Sequence, residues 1–382
     1  MPTSPSKPPS LQASKSDPGL LWDEFCDALK EAGSVLRRAE TPRDALTISE
    51  GYRHLLRMVR IGFENHFELA DLERPALTPM VGRMVQYEGI TSDARYLHGF
   101  IDGRATHRIS GFRGGAPLIE FGVYTGKMGM HDPSHLISSI TEEGLEVTDD
   151  GRVEVILGPE EHRGNWIHTD EQTRYVMIRQ YAPEWSDLAP GRFEIERIAP
   201  SESAPGDASR DLLDGIRKGL ENTAAFATGT PRIWAEISDY WKEFAVNRFV
   251  PQIDADRATD IAPPSGHLFS CGYFEITPDD MLVVSFRPGE AGFWSLGLAT
   301  YWYETIGYGR RESHLNSGTV VAEPDGEIRV AISLEPPPAS SGIRNWIDPK
   351  GHREGTMVFR WSRPKDPMPD IACEQIPRNS LS

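Results

Sequence analysis

Three stretches of this chain combine side chains that can move protons or hold a polar molecule. The first is Met128-Gly129-Met130-His131-Asp132-Pro133-Ser134-His135, just after the strand-like end Val123-Tyr124-Thr125-Gly126. Two imidazoles and a carboxylate within five residues suit acid–base chemistry, with His131 and Asp132 as candidate catalytic groups. His131, Asp132 and His135 could also hold a metal, but their spacing matches no strong zinc template, and no metal is assigned. The simpler reading is that Asp132-Pro133 starts a turn. The second stretch flanks Trp166: Glu160-Glu161-His162-Arg163 before it and His168-Thr169-Asp170-Glu171 after it. Glycosyl or amide hydrolysis uses two acids in unequal environments beside an aromatic platform. Glu161 is the candidate acid, Trp166 the platform, and His168, Arg113 and Tyr124 the candidate substrate contacts. A solvated acidic loop is the plain alternative. The third stretch is Tyr301-Trp302-Tyr303-Glu304. Side chains alternate along a strand, so three consecutive aromatics cannot all face one core. One of them, with Trp302 as the candidate, is expected to form a domain contact or a platform beside Glu304, a third candidate acid.

The elements that would position these groups fall into a repeated order. Leu20 to Arg38 has apolar residues at helical spacing, and Thr41-Pro42-Arg43-Asp44 reads as the start of a second helix running to about Ala70. Short β-type runs follow at 96–101, 107–112, 117–124, 136–140, 153–157 and 174–181, separated by Gly and Asp turns. Ala199 to Gly206 reads as a linker by composition. Helices are expected again at 209–220 and 233–249, then strands at 269–276, 281–286, 293–303, 319–322, 328–334 and 356–361. The fold class is therefore mainly β with helical additions: two tandem antiparallel β-sandwich or jelly-roll domains, each preceded by a helix pair. The boundaries read as a disordered tail over 1–19, a first unit over 20–198, a linker over 199–208, a second unit over 209–365 and a C-terminal tail over 366–382.

Repeated residues support the duplication. Gly164-Asn165-Trp166-Ile167 and Arg344-Asn345-Trp346-Ile347 each follow an Asp-Gly turn, Asp150-Gly151 and Asp325-Gly326. Each precedes a strand-like run, Tyr175-Val176-Met177-Ile178-Arg179 and Met357-Val358-Phe359-Arg360-Trp361. Phe112-Arg113 and Phe286-Arg287 form a further matching pair upstream. Trp166 and Trp346 could be platforms. Their presence in both halves favours a structural role, because one active site seldom needs two copies. A period this long points to two copies of one domain.

Several of these residues resemble a bacterial family, domain of unknown function 1214, often found beside domain 1254. The resemblance rests on Glu50-Gly51-Tyr52-Arg53-His54-Leu55-Leu56-Arg57, Phe112-Arg113-Gly114-Gly115, and Gly164-Asn165-Trp166-Ile167 with Tyr175 to Tyr181. It implies a jelly-roll β-domain and supplies no catalytic residues.

Net charge is −17 over 382 residues, so anionic nucleic acid and membranes would be repelled. Three scattered cysteines and no apolar leader point to the cytoplasm. Walker, dinucleotide, H-E-x-x-H and G-x-S-x-G motifs are absent, so no cofactor is expected. The expected function is a hydrolase or lyase acting on a carbohydrate-like or other polar small molecule in a cleft of β-domain loops. The alternative is a non-catalytic binding or assembly protein using the same aromatics. The expected partners are a glycan-like or other small-molecule substrate and, in a homo-oligomer, a second copy of the chain; nucleic acid and membrane are not expected.

Overall fold

A computed structural model describes residues 19–79, 86, 91–126, 134–198, 208–251, 266–308 and 311–378. The tail over 1–18 and nearly all of the 199–208 linker lie outside the described residues. Helix α1 spans Leu20–Ala32 and α2 spans Ala45–Phe63. Nine strands follow: β1 Thr78–Pro79, β2 Ala94–Phe100, β3 His107–Gly114, β4 Leu118–Tyr124, β5 Leu136–Thr141, β6 Arg152–Gly158, β7 Trp166–His168, β8 Tyr175–Tyr181 and β9 Pro190–Arg197. Helix α3, Ala208–Phe244, leads into nine more. These are β10 Val250–Pro251, β11 His267–Glu275, β12 Asp280–Phe286, β13 Ala291–Ala299, β14 His314–Asn316, β15 Ile328–Ile332, β16 Asn345–Ile347, β17 Glu354–Pro364 and β18 Ala372–Pro377.

The two sets repeat strand for strand. The five-stranded sheets run β1-β2-β8-β4-β5 and β10-β11-β17-β13-β14; the four-stranded sheets run β7-β6-β3-β9 and β16-β15-β12-β18. Every strand of the first copy thus has its counterpart nine strands later, down to the parallel pairs β6–β7 and β15–β16. The fold is mainly β, and each copy buries its own sandwich core. Ile109, Phe121, Val155 and Ile178 fill the first; Leu282, Val284, Leu296 and Phe359 fill the second. The outer faces of the five-stranded sheets meet each other and the helices: Met58 and Phe226 share one cluster with Tyr96, Tyr181 and Phe293.

Several elements differ from the sequence expectation. Asp44, not Thr41, caps α2, accepting from the Thr47 amide at 2.9 Å; the Thr41 hydroxyl instead donates to the Val35 carbonyl. The second helix pair is one helix, α3, with Pro231 inside it. Burial of Ala224, Phe226, Trp234 and Trp241 along its length outweighs the single amide that Pro231 removes. Part of the expected C-terminal tail, Ala372–Pro377, pairs with β12 as an edge strand. No strand forms over 319–322. Strand β13 ends at Ala299, so Tyr301, Trp302 and Tyr303 occupy a turn, with Tyr303 in the left-handed region at φ 60. A turn frees them from alternation, and all three are buried.

The Phe112–Phe286 match is out of register by one residue. Trp166 pairs beside Ile156 and Trp346 beside Ala331, which aligns Val153 with Ile328. Val153 faces Gly111, and Ile328 faces Phe286. Gly111 is therefore the counterpart of Phe286. A one-residue slip reverses the face: Phe112 is exposed and Phe286 packs in the core. Gly111 has no room for a side chain, since a Cβ there would lie 1.9 Å from the Arg192 carbonyl oxygen.

Candidate functional site

The aromatic platforms expected from the sequence are structural. The Trp166 indole donates to the Gly158 carbonyl at 3.1 Å, and Trp346 donates to Ser333 at 3.0 Å. The Asn165 amide donates to the Glu146 and Glu154 carbonyls and accepts from the Glu146 amide. Asn345 makes the same three bonds, to Val321 and Arg329. Identical backbone bonds in both copies mark a scaffold role. His168 is exposed and meets the Trp166 ring edge-on at 5.8 Å. Glu161 is exposed on its loop. The Arg113 guanidinium ties down a turn by donating to the Gly114, Ala116 and Pro117 carbonyls.

Trp302 is wholly buried, and its indole donates to the Thr47 carbonyl of α2 at 2.8 Å. It is therefore not an exposed platform. Glu304 is also buried. It is 2.8 Å from His54 Nδ1 and accepts from Arg57, which ties α2 to the second copy. His131 and Asp132 lie outside the described residues; β4 ends before them at Tyr124, the counterpart of Ala299 where β13 ends before Tyr301.

Of the expected contacts, only Tyr124 belongs to a larger polar cluster. It accepts from Arg179, which lies on β8 opposite Glu120 of β4 and Tyr96 of β2. The Arg179–Glu120 separation is 3.7 Å. The second copy faces this row with its own. Arg360 of β17, the counterpart of Arg179, donates to the Tyr96 hydroxyl at 3.2 Å. His267 of β11 lies with Nδ1 2.7 Å from Ser362 Oγ and Nε2 3.8 Å from Glu120 Oε2. Arg363, at φ 50, is 2.9 Å from Glu142 and 3.9 Å from Glu120. The Tyr181 ring stands between the copies, 5.1 Å from His267.

The electrostatics of this seam are unusual for a packed interface. Glu120 and Ser362 are fully buried and His267 is 5% exposed. Burying an ion costs several kcal/mol that pairing only partly repays. Burial, and then the Arg363, Arg179 and Arg360 guanidiniums, push the His267 pKa well below its usual value, so the ring is neutral. Its Nε2 makes no hydrogen bond. A proton on Nε2 faces the Glu120 carboxylate, and that tautomer leaves the Nδ1 lone pair toward the Ser362 hydroxyl.

The open surface offers less. A depression of about 460 Å³ is lined by Leu72, Ile101, Asp102, Arg104, Glu171, Gln172 and Arg174. Its two arginines are already engaged: Arg104 pairs with Asp102, and Arg174 donates to the Glu171 backbone carbonyl. The residues of the seam carry the chemistry instead. Sequence reasoning passed over them although Arg179 and Arg360 stood in its matched strands. An arginine kept at the same position of two buried strands was the available signal.

Residues 124–185 and 278–366 match the family model described as protein of unknown function, DUF1214. The two matched segments fall one in each copy, which is consistent with two copies of the domain. Both DUF1214 segments include the central strand of the inner sheet, β8 or β17, with its buried arginine. A search of the curated proteins finds no match. Among solved structures, an uncharacterized protein from Burkholderia cenocepacia is similar at 27% identity and a TM-score of 0.86, over 94% of this chain and 97% of that one. The VPA0106 protein from Vibrio parahaemolyticus is 12% identical with a TM-score of 0.45, over 92% of this chain and 100% of that one.

Proposed function

We propose that this DUF1214 chain is a hydrolase of a polar small molecule, with Ser362 as nucleophile, His267 as base and Glu120 as the acid that orients the base. The contact of 2.7 Å between Ser362 Oγ and His267 Nδ1, with Nε2 directed at Glu120, carries this reading. A nucleophile, a base and a third group behind the base form the arrangement that activates a hydroxyl. His267 is neutral and can accept a proton. The Ser362 oxygen would attack an acyl carbon while its proton passes to Nδ1. Nδ1 then gives that proton to the leaving alcohol or amine. Water, deprotonated by Nδ1, would release the acid and restore Ser362. The buried guanidiniums offer N–H donors to the oxyanion. Arg363, with its side chain 14% exposed and its backbone strained, is the group that would move to admit substrate.

Intact-mass analysis with a fluorophosphonate probe tests the assignment. Labelling of the chain that maps to Ser362 and vanishes in Ser362→Ala and His267→Gln, with circular dichroism unchanged, is the expected result. No adduct, together with ester turnover unaltered in Ser362→Ala, would refute it. Three free thiols, Cys26, Cys271 and Cys373, support a reducing compartment such as the cytoplasm. No helix among the described residues is long and apolar enough to cross a membrane.

A second reading is a non-catalytic binding or assembly protein. It is favoured by the bonds that cross the seam from copy to copy: Arg360 to Tyr96, Arg363 to Glu142, and Asn316 to Asp93 at 2.8 Å. On that reading the polar seam fixes the register of the two copies. The same probe experiment separates the two.

A further inference from the structure

Helix α2 carries two apolar faces. Gly51, His54, Met58 and Ile61 form its buried face, which packs on α3 and on the Tyr301–Glu304 turn. A second row, Tyr52, Leu56, Val59 and Phe63, repeats at helical spacing on the opposite side. Tyr52, Leu56 and Phe63 are 61%, 72% and 47% exposed. The row continues past the end of the helix. Phe63 stacks on Phe67 at 5.4 Å in the π-helical turn Glu64–Glu68, and Phe67 lies over Gly219 of α3. Ile216 and Leu212, one and two turns before Gly219 on the same face of α3, are 47% and 71% exposed.

Single exposed apolar side chains are ordinary on a protein surface, but these five form one band. At about 200 Å² for a large side chain, they expose roughly 600 Å². That reaches the top of the range for the largest apolar patch of a monomer, about 300–600 Å². With a polar rim it matches the roughly 800 Å² that each partner gives to a standard interface. The rim is informative. Arg53, Arg60 and Glu64, at i, i+7 and i+11, share one flank of the band. Arg60 pairs with Glu64 at 2.7 Å, whereas Arg53 is exposed and has no ion pair to any described residue.

We propose that this band is the interface of a two-fold dimer, in which α2 packs antiparallel on α2 of a second copy with the axis beside Val59. In that register Leu56 sits between Val59 and Phe63 of the other copy, and Tyr52 between Phe63 and Phe67. Same-side flanks meet in an antiparallel pair, so Arg53 of each copy reaches Glu64 of the other. The Glu64 carboxylate has lone pairs for both Arg60 and this second guanidinium. A two-fold interface requires such self-complementarity. Charge favours this occupant over an anionic lipid surface, because the flank changes sign along α2 and the chain has a net charge of −17. Arg53, Arg57 and Arg60 also make α2 a face on which two acidic molecules repel each other less.

Sedimentation velocity on the full chain, over a range of concentrations, tests the proposal. Wild type should sediment as a dimer. Leu56→Glu changes an exposed position and should leave circular dichroism unaltered. It should weaken dimerisation by about a hundredfold or more, because it buries a carboxylate among apolar side chains. The register has its own test. Arg53→Glu and Glu64→Arg chains should each self-associate poorly, since each variant sets like charges together twice. Mixed, they should form a heterodimer roughly tenfold tighter than either homodimer, with two opposite-charge contacts restored. A wild-type monomer at every concentration would overturn the proposal, as would a dimer untouched by Leu56→Glu or a mixture no tighter than its components. A monomer that dimerises only when residues 1–18 are removed would overturn it by showing that the chain covers its own band. A monomer that co-sediments with phosphatidylglycerol vesicles, and fails to do so as Leu56→Glu, would overturn it in favour of a lipid surface.

Discussion

At the scale of single residues, the seam shows how environment decides what a side chain can do. His267 is neutral because burial and three guanidiniums oppose its charge. His352 shows the reverse. Its burial lowers the pKa, but the Glu50 carboxylate, 2.9 Å from Nε2, more than compensates, with further help from the Pro349 carbonyl. The net shift is upward from 6.5. A raised folded-state pKa stabilises the fold fully below the unfolded value and loses that contribution as pH rises through the folded one. Buried His98 and His107, with values near 4, act oppositely: each loses stability as pH falls from about 6.5 toward 4. The difference between wild type and His352→Gln isolates the first effect. Urea midpoints of wild type should exceed those of the variant at pH 6 and approach them as pH rises above 7. A constant difference across that range would show that Glu50 and His352 are not coupled in this way.

At the scale of elements, α2 is the part whose role the sequence conceals. It precedes the first sandwich, yet its Thr47, Glu50, His54 and Arg57 all bond to the second copy. Gly51 lets it approach that close. A Cβ there would lie 2.4 Å from Leu36 Cδ2 and 2.6 Å from Trp302 Cζ2. Gly51→Ala should therefore lift α2 from the Tyr301–Glu304 turn and cost about 1–3 kcal/mol, the usual penalty for overpacking a filled contact. Hydrogen exchange should quicken in α2 and in that turn while the four-stranded sheets stay protected. Unchanged exchange would mean that the two side chains give way. Local periodicity made α1, α2 and most strands legible, because their apolar faces repeat at 3.6 or 2 residues. It did not reveal that the two expected helices of the second pair join through Pro231, since that continuity depends on packing from Ala224 to Trp241. Nor did it show β18, an edge strand defined by its partner β12. The same limit applies to the site. Asn165 and Asn345 were found as a pair because their neighbours repeat, whereas Glu120, His267 and Ser362 come from three strands and two copies. Nothing local links residues separated that far in the chain.

For the whole molecule, the helices and the seam make the two copies interdependent. Separated halves would uncover the Met58, Phe226 and Phe293 cluster and leave Glu120, Arg179 and Arg360 without their cross-copy neighbours. Breaking one side of a buried charge network costs about 3–5 kcal/mol. That is a large share of the roughly 5–15 kcal/mol that stabilises an ordinary domain. Each copy also loses helix packing: α2 departs from the Trp302 turn, and α3 departs from α1 and α2. Residues 19–198 and 208–378 expressed separately should therefore be insoluble or lack a cooperative thermal transition. Co-expressed, they should reassemble into a complex that melts in one step. A half that melts cooperatively at the temperature of the intact chain would show that the duplication joins two self-sufficient domains. In that case the charges at the seam would be selected for what they bind and not for what they hold together.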